Sequence, residues 1–175
     1  MRTFIILAFV WGALCATEIA SAASTVSTND DSVTLVATNG FGVQFALTEE
    51  EKIFADWDKP VAPHYTPVTI ARRGVPIFTV VVFAGAGLRS DGTADVTFDA
   101  VIRKPDGSVY GRDKDMVGVQ GRIDPSPKAL QLARDYMGIR IESKDPAGTY
   151  TAEVVVRDNV KKLELHAKRT FTVEK

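Results

Sequence analysis

The hexapeptide Asp145-Pro146-Ala147-Gly148-Thr149-Tyr150 restricts this chain more than any other stretch. Pro146 fixes its own φ and pushes Asp145 towards an extended conformation, while Gly148 can take a positive φ at no steric cost. A tight corner is therefore expected. The period is two from there on. Tyr150, Ala152, Val154 and Val156 fall on one face, and Thr151, Glu153, Val155 and Arg157 on the other. Such alternation predicts a strand with one face on a core and the other mostly towards water. Tyr150 then fills the edge of the core and turns its hydroxyl back to a carbonyl, or to Asp145, at the corner. The roles expected of Asp145, Gly148 and Tyr150 are architectural, since a buried tyrosine needs a partner for its hydroxyl in any case.

The same alternation recurs. Val96, Phe98, Ala100 and Ile102 make a strand closed by the turn Pro105-Asp106-Gly107-Ser108, and Val109-Tyr110 begins its return. Residues 32–38 and 41–47 flank Asn39-Gly40, the strongest short hairpin signal, with Val33, Leu35, Phe41, Val43 and Phe45 as apolar positions. A strand is expected over 65–72. Residues 77–83 are apolar apart from one threonine, so both faces of that strand must be covered. It is either central in its sheet or capped on its outer face by the N-terminal segment, and the second arrangement is preferred. Met137, Ile139 and Ile141 predict the strand entering the corner. Leu163, Leu165, Ala167, Phe171 and Val173 predict the last one, with a bulge expected where Arg169 interrupts the apolar row.

One helix is expected. Thr48-Glu49-Glu50-Glu51 has the form of a capping box with acids at the positive end, followed by an Ile53, Phe54, Trp57 stripe. A helix this short is marginal alone and must dock that stripe. Pro60 and Pro63 end it. The segment 111–126 is charged and rich in turn residues and stays unassigned. In 126–136, Ser126-Pro127 suggests a helix start, but Leu130 and Leu132 also alternate as in a strand. One helical turn or irregular structure is favoured there.

Seven or so short strands with close turn signals and a tyrosine at such a corner resemble an immunoglobulin-like antiparallel β-sandwich. Gly74-Val75-Pro76 through Pro105-Asp106-Gly107, then residues 145–158, resemble bacterial immunoglobulin-like and macroglobulin-type sandwich domains, and small exported bacterial proteins built on that plan. The fold class expected is all-β, an immunoglobulin-like antiparallel β-sandwich with one short N-terminal helix. The Cys-Trp-Cys arrangement of antibody domains is absent, and fold likeness says little about activity.

Met1-Arg2-Thr3, an apolar run over 4–16 and Ala20-Ser21-Ala22 predict a cleavable export signal ending near Ala22. The run is shorter than the ~20 residues a spanning helix needs. Leu14 stands where lipoprotein processing at Cys15 wants a small residue. Residues 23–31 are expected to be a tether and 32–175 a single domain. Cys15 is the only cysteine, so the chain without its leader has no disulfide and rests on its core. Lacking cysteines and glycosylation sequons, it is expected to be periplasmic or secreted. The net charge of −1 provides no single-sign field for nucleic acid or anionic lipid.

No catalytic constellation stands out. Only His64 and His166 are present, and neither a Gly-x-Ser-x-Gly elbow nor a metal-ligand spacing accompanies them. Asp56-Trp57-Asp58 and Asp113-Lys114-Asp115 are expected to be solvated loop charge rather than calcium ligands, because calcium takes six or more converging oxygens. No cofactor or metal is expected. The aromatic concentration at Phe54, Trp57, His64 and Tyr65 is expected to cap the 77–83 strand. Trp57, His64 and Tyr65 are also the candidate ligand-binding residues. The function expected is a non-enzymatic interaction module of the cell envelope with an unidentified protein partner. A carbohydrate-binding module using Trp57 and Tyr65 is the alternative, and a hydrolase using His64 comes third.

Overall fold

A computed structural model describes residues 24–26, 33–59, 63–124 and 129–175. The expected leader and residues 125–128, with the Ser126-Pro127 helix start, lie outside the described residues. Eleven strands and one helix are formed among those described. The strands make two sheets. The front sheet runs β1 (Ser24–Val26), β2 (Val33–Thr38), β3 (Phe41–Thr48), β5 (Pro76–Ala84), and the far edge of β5 is shared by β8 (Gln131–Leu132) and β9 (Gly138–Arg140). The back sheet runs β4 (Ile70–Ala71), β11 (Leu163–Val173), β10 (Gly148–Asp158), β6 (Thr93–Arg103), β7 (Val109–Arg122). All pairings are antiparallel except β4 with β11.

The shared core lies between the sheets. Phe41, Phe45, Val81 and Phe83 from the front meet Phe98, Ile102, Tyr150, Val154, Leu165 and Phe171 from the back in one buried cluster. At about 1.5–3 kcal/mol for each fully buried large apolar side chain, this layer is the main source of stability in a chain without disulfides. The expected alternation is seen in β10, where Tyr150, Ala152, Val154 and Val156 are buried and the residues between them are half-exposed.

The corner is built around Tyr150, which is 0 % exposed and donates its hydroxyl proton to the Pro146 carbonyl at 2.9 Å. Its ring stacks on Phe171, with centroids 5.3 Å apart. Gly148 has φ +132°, and a Cβ there would meet Pro105 at 2.9 Å, so the corner requires glycine on both counts. The Asp145 carboxylate does not reach Tyr150. It accepts from the Glu142 N–H at 2.8 Å and from the Tyr110 hydroxyl at 2.7 Å. Arg73 ties the corner to the chain end, donating to the carbonyls of Glu142, Asp145 and Glu174.

The Asn39-Gly40 hairpin forms with φ +47° and +72° at the two turn residues, as a primed turn demands. Several expectations are corrected. Ser24–Val26, placed in the tether, pair with β2 instead. The strand over 65–72 shrinks to Ile70–Ala71 and a bridge at Pro67: the Thr66 backbone is taken by the side chains of Thr48 and Glu50, and Val68 and Thr69 make single backbone bonds to Leu47 and Thr172. No bulge occurs at Arg169, which stays in register opposite Ala152. Its position beside the β2 edge lets the guanidinium leave the core and come within 3.5 Å of Thr34 Oγ1. Residues 129–136 form no helical turn; Val81 and Val82 of β5 take this segment into sheet pairing.

The unassigned segment is mostly one long edge strand, β7. Its pairing with β6 shifts register repeatedly, and Asp115 sits at φ +54° with its N–H on Asp99 Oδ1 at 3.0 Å. Arg112, Asp113, Lys114 and Asp115 are exposed along it. Charge and irregularity on an edge hinder pairing with another chain. They also erase the alternation by which a strand is recognised in sequence.

Candidate functional site

The outer face of the front sheet is largely apolar, and the described residues cover only part of it. The cover is α1 (Lys52–Asp56), whose buried Ile53 packs with Ala46, Val80 and Val82, flanked by half-buried Phe54, Trp57 and Tyr65. This is the capping role expected of Phe54, Trp57 and Tyr65; His64, expected with them, is exposed and takes no part. The capping box itself does not form. Glu51 has no side-chain capping bond, and its carboxylate instead accepts the Tyr136 hydroxyl at 3.0 Å. That bond raises the Tyr136 pKa, with burial adding to it. Thr48 Oγ1 accepts from Glu50 N–H at 3.1 Å and donates to the Thr66 carbonyl at 3.2 Å. The Glu50 carboxylate accepts the Thr66 N–H at 2.9 Å, which together with Lys52 holds its pKa below the ordinary value. These bonds fix the segment carrying His64 and Tyr65 against the sheet. Tyr136 stacks on Phe54 at 3.8 Å and so pins the helix from the other side.

Beyond the cap the sheet face has no cover among the described residues. Register aligns Ala37 with Gly42 and Gly42 with Ala84, so three strands present a row of minimal side chains. The next outward row is Leu35, Gln44 and Val82. Leu130, 57 % exposed, forms a wall. The result is a hollow of about 320 Å³ whose lining is almost wholly carbon. A second hollow of about 440 Å³ shares Gln44, Val82 and Leu130 with it and is lined further by Trp57, Lys59, Pro63 and Tyr65. The two form a continuous trough, aliphatic at one end and aromatic at the other. Their volumes fall in the range of ligand sites, roughly 300–1,000 Å³.

Trp57 and Tyr65 are thus brought together at the aromatic end. Gln44 donates its side-chain N–H to the Tyr65 hydroxyl at 3.3 Å, and the Lys59 ammonium lies 2.6 Å from Asp56 at the rim. His64 does not line the trough. It is exposed in the preceding loop, and no hydroxyl or carboxylate among the described residues hydrogen-bonds to it. His166 is exposed on the outer face of β11, 2.8 Å from Glu164. No metal-ligating cluster occurs among the described residues.

Sequence reasoning missed Leu35, Ala37, Gly42, Gln44, Val82, Ala84 and Leu130 as trough residues. Ala37, Gly42 and Ala84 come from three strands and share a row only through register. A faint signal existed in the unbroken apolar run 77–83, which implies an outer face needing cover.

At the corner, burial raises the Tyr150 phenol pKa, helped by the Asp145 charge. Burial and the Asp145 hydrogen bond raise that of Tyr110 far above the ordinary value. Asp145 is shifted down by the Tyr110 hydroxyl and the Glu142 N–H. These phenols have structural partners, Asp145 and the Pro146 carbonyl, and line neither hollow of the trough.

No family model matches the chain. No curated protein matches it either. Among solved structures it is similar to a family 123 glycoside hydrolase from Clostridium perfringens, studied for glycolipid glycan hydrolysis. The identity is 15 %, the TM-score 0.43, and the match covers 78 % of this chain but 28 % of that one.

Proposed function

We propose that the protein is an exported, non-enzymatic interaction module of the cell envelope, built on an immunoglobulin-like plan, that receives an apolar segment of a partner protein in the front-sheet trough. The observation carrying this reading is the carbon-lined half of the sheet face beside the Trp57 cap, which no described residue covers. An extended segment laid there buries its apolar side chains in the two hollows and leaves its outward backbone groups in water. The Tyr150 bond to the Pro146 carbonyl, at the entry to the penultimate long strand, supports the immunoglobulin-like plan. The Ala-x-Ala site after an apolar run supports export.

A carbohydrate would draw on Trp57 and Tyr65, but its hydroxyls need several donors and acceptors. The aliphatic hollow offers little beyond Gln44, and the Trp57 ring is half-buried against the Ile53 and Val80 cluster. The protein segment is therefore favoured. Among the described residues no hydroxyl or carboxylate hydrogen-bonds to His64, so the hydrolase reading draws no support from the described site.

The test is a photo-crosslinking side chain placed at Leu130 in cells, with a control at Glu153 on the back sheet. A discrete adduct at position 130 that Gly42→Leu abolishes is expected. A Cβ at Gly42 makes only ordinary contacts, with Ala37 Cβ at 3.7 Å and the Val36 carbonyl oxygen at 3.9 Å, so the backbone admits a side chain that projects into the hollow. Equal labelling at both positions, or an adduct indifferent to Gly42→Leu, would overturn the proposal. A panel of soluble glycans titrated against Trp57 fluorescence tests the carbohydrate reading in parallel.

A further inference from the structure

Three dipeptides in this chain place glycine after an asparagine or aspartate: Asn39-Gly40, Asp91-Gly92 and Asp106-Gly107. Glycine has no Cβ to shield its amide nitrogen, so that nitrogen can reach the preceding side-chain carbonyl carbon wherever the backbone allows. A carboxylate ion is a poor electrophile, and the fold keeps both aspartates ionised. Asp91 accepts the hydroxyl and N–H of Thr93 at 2.6 and 2.9 Å, and Asp106 those of Ser108 at 2.6 and 2.9 Å. These bonds hold both pKa values below the ordinary carboxylate value. Asn39 has no such protection. Its carboxamide stays neutral and carries a leaving group, ammonia.

The folded turn nevertheless keeps Asn39 out of reach. φ is +47° at Asn39 and +72° at Gly40, and Thr38 pairs with Phe41 across them, which makes a two-residue type I′ turn. The first central residue of such a turn has ψ of about +30°, which sets the Gly40 nitrogen roughly 150° from the Asn39 Cβ about the Cα–C bond. Ring closure needs the two eclipsed. The turn cannot rotate that far while it stays paired. The β2–β3 register fixes its ends, and it is seated on the next loop, where a Cβ at Gly85 would collide with the Gly40 carbonyl oxygen. Lys161 braces that loop, donating from Nζ to the Gly85 carbonyl at 2.7 Å.

We propose that Asn39 is a self-modification site gated by this hairpin: it persists while the turn is closed and deamidates when the turn opens. In the open chain the Gly40 nitrogen gives up its proton and bonds to Asn39 Cγ. The Cγ–Nδ2 bond breaks, and the side-chain nitrogen leaves as ammonia with that proton. Water then adds to the cyclic imide and breaks one of the two carbonyl bonds to the Gly40 nitrogen, which regains a proton. Breaking the bond at Cγ leaves aspartate. Breaking the bond at the Asn39 carbonyl carbon leaves isoaspartate, with the backbone rerouted through Cβ. Aspartate tolerates the left-handed region and rebuilds the turn. Isoaspartate adds a methylene to the backbone of a turn that register and the Gly85 contact hold at one length. An opening that is otherwise reversible then becomes permanent, which makes the hairpin tip a point of kinetic rather than thermodynamic weakness.

The test incubates the full chain at one pH and temperature, folded and in urea above its unfolding midpoint. Peptide mass spectrometry, with the two products separated by chromatography, reads residue 39. Asn159, followed by valine, is the internal reference. Asn39 should convert about tenfold faster or more in urea, since a closed hairpin is open only a small fraction of the time. Equal rates in the two states, or conversion in urea no faster than at Asn159, overturns the proposal. A second arm follows the products. After removal of urea, chains with isoaspartate at position 39 should be depleted several-fold from the refolded fraction, whereas Asn39→Asp should refold with a Tm within a few degrees of the parent. Isoaspartate chains that refold as well as the parent, or an Asn39→Asp chain that does not refold, overturn it as well.

Discussion

Replacing Tyr150 with phenylalanine isolates the corner bond from the packing around it. The ring remains, with its stack on Phe171 at 5.3 Å and its edge-on contact with Tyr110 at 5.8 Å. Only the 2.9 Å bond to the Pro146 carbonyl disappears. A buried hydrogen bond is worth about 1 kcal/mol net, and orphaning a buried partner costs about 1–3 kcal/mol. Pro146 is exposed, so water can reach its carbonyl and the upper end of that range does not apply. The expected loss is about 1–2 kcal/mol. For a chain of this length it lowers Tm by roughly 2–8 °C. Urea unfolding followed by circular dichroism should show a lower midpoint with an unchanged m-value, because the surface exposed on unfolding is the same. A loss below about 0.3 kcal/mol, within the ordinary scatter of neutral surface changes, would refute the claim that this hydroxyl holds the bend. Tyr150→Ala separates the two contributions, since removing a ring that is 0 % exposed should cost about 3–5 kcal/mol.

Asp158 is 1 % exposed and accepts the N–H groups of Gly87, Val160 and Lys161 at 2.6–3.0 Å, so Asp158→Ala should destabilise by about 3 kcal/mol in the same unfolding assay. Trp57→Ala removes half of the cap and should cost about 2 kcal/mol, visible as a lower Tm, since the ring is only partly buried. Leu130→Glu should leave Tm within a degree or two while abolishing the crosslink-detected partner, because the side chain is 57 % exposed yet walls the trough. The pKa shifts fix the sign of the pH response. Tyr110 and Tyr150 are raised in the folded state, so their contribution is complete below the unfolded value of about 10 and is lost as pH rises above it. Asp95, Asp99 and Asp145 are lowered, so theirs is complete above the unfolded value near 4 and is lost as pH falls below it. Urea midpoints should therefore fall at both ends of the range. A flat profile from pH 3 to pH 11 would contradict these assignments.

Much of the layered architecture was legible because its signals are local. Asn39-Gly40 needs two positive φ angles, Gly148 a third, and β6 and β10 each alternate strictly, so turns and half-buried strands followed from neighbouring residues alone. The apolar run 77–83 gave notice of a covered outer face, and the Ile53, Trp57 stripe supplied the cover. Strand β7 was illegible because an edge strand is kept charged and irregular. The strand at 138–140 followed from the alternation of Met137, Ile139 and Ile141, but the pairing of Gln131–Leu132 was illegible because β5, far away in sequence, imposes it. Trp57 and Tyr65 were visible as an aromatic pair, but the hollow beside them was not.

Residue order by itself fixed where the chain bends and which side chains must leave water, since backbone sterics and period-two burial act over a few residues. Which surface stays bare was decided only in three dimensions. Strand register lines up Ala37, Gly42 and Ala84 into a row of minimal side chains, which no described residue covers.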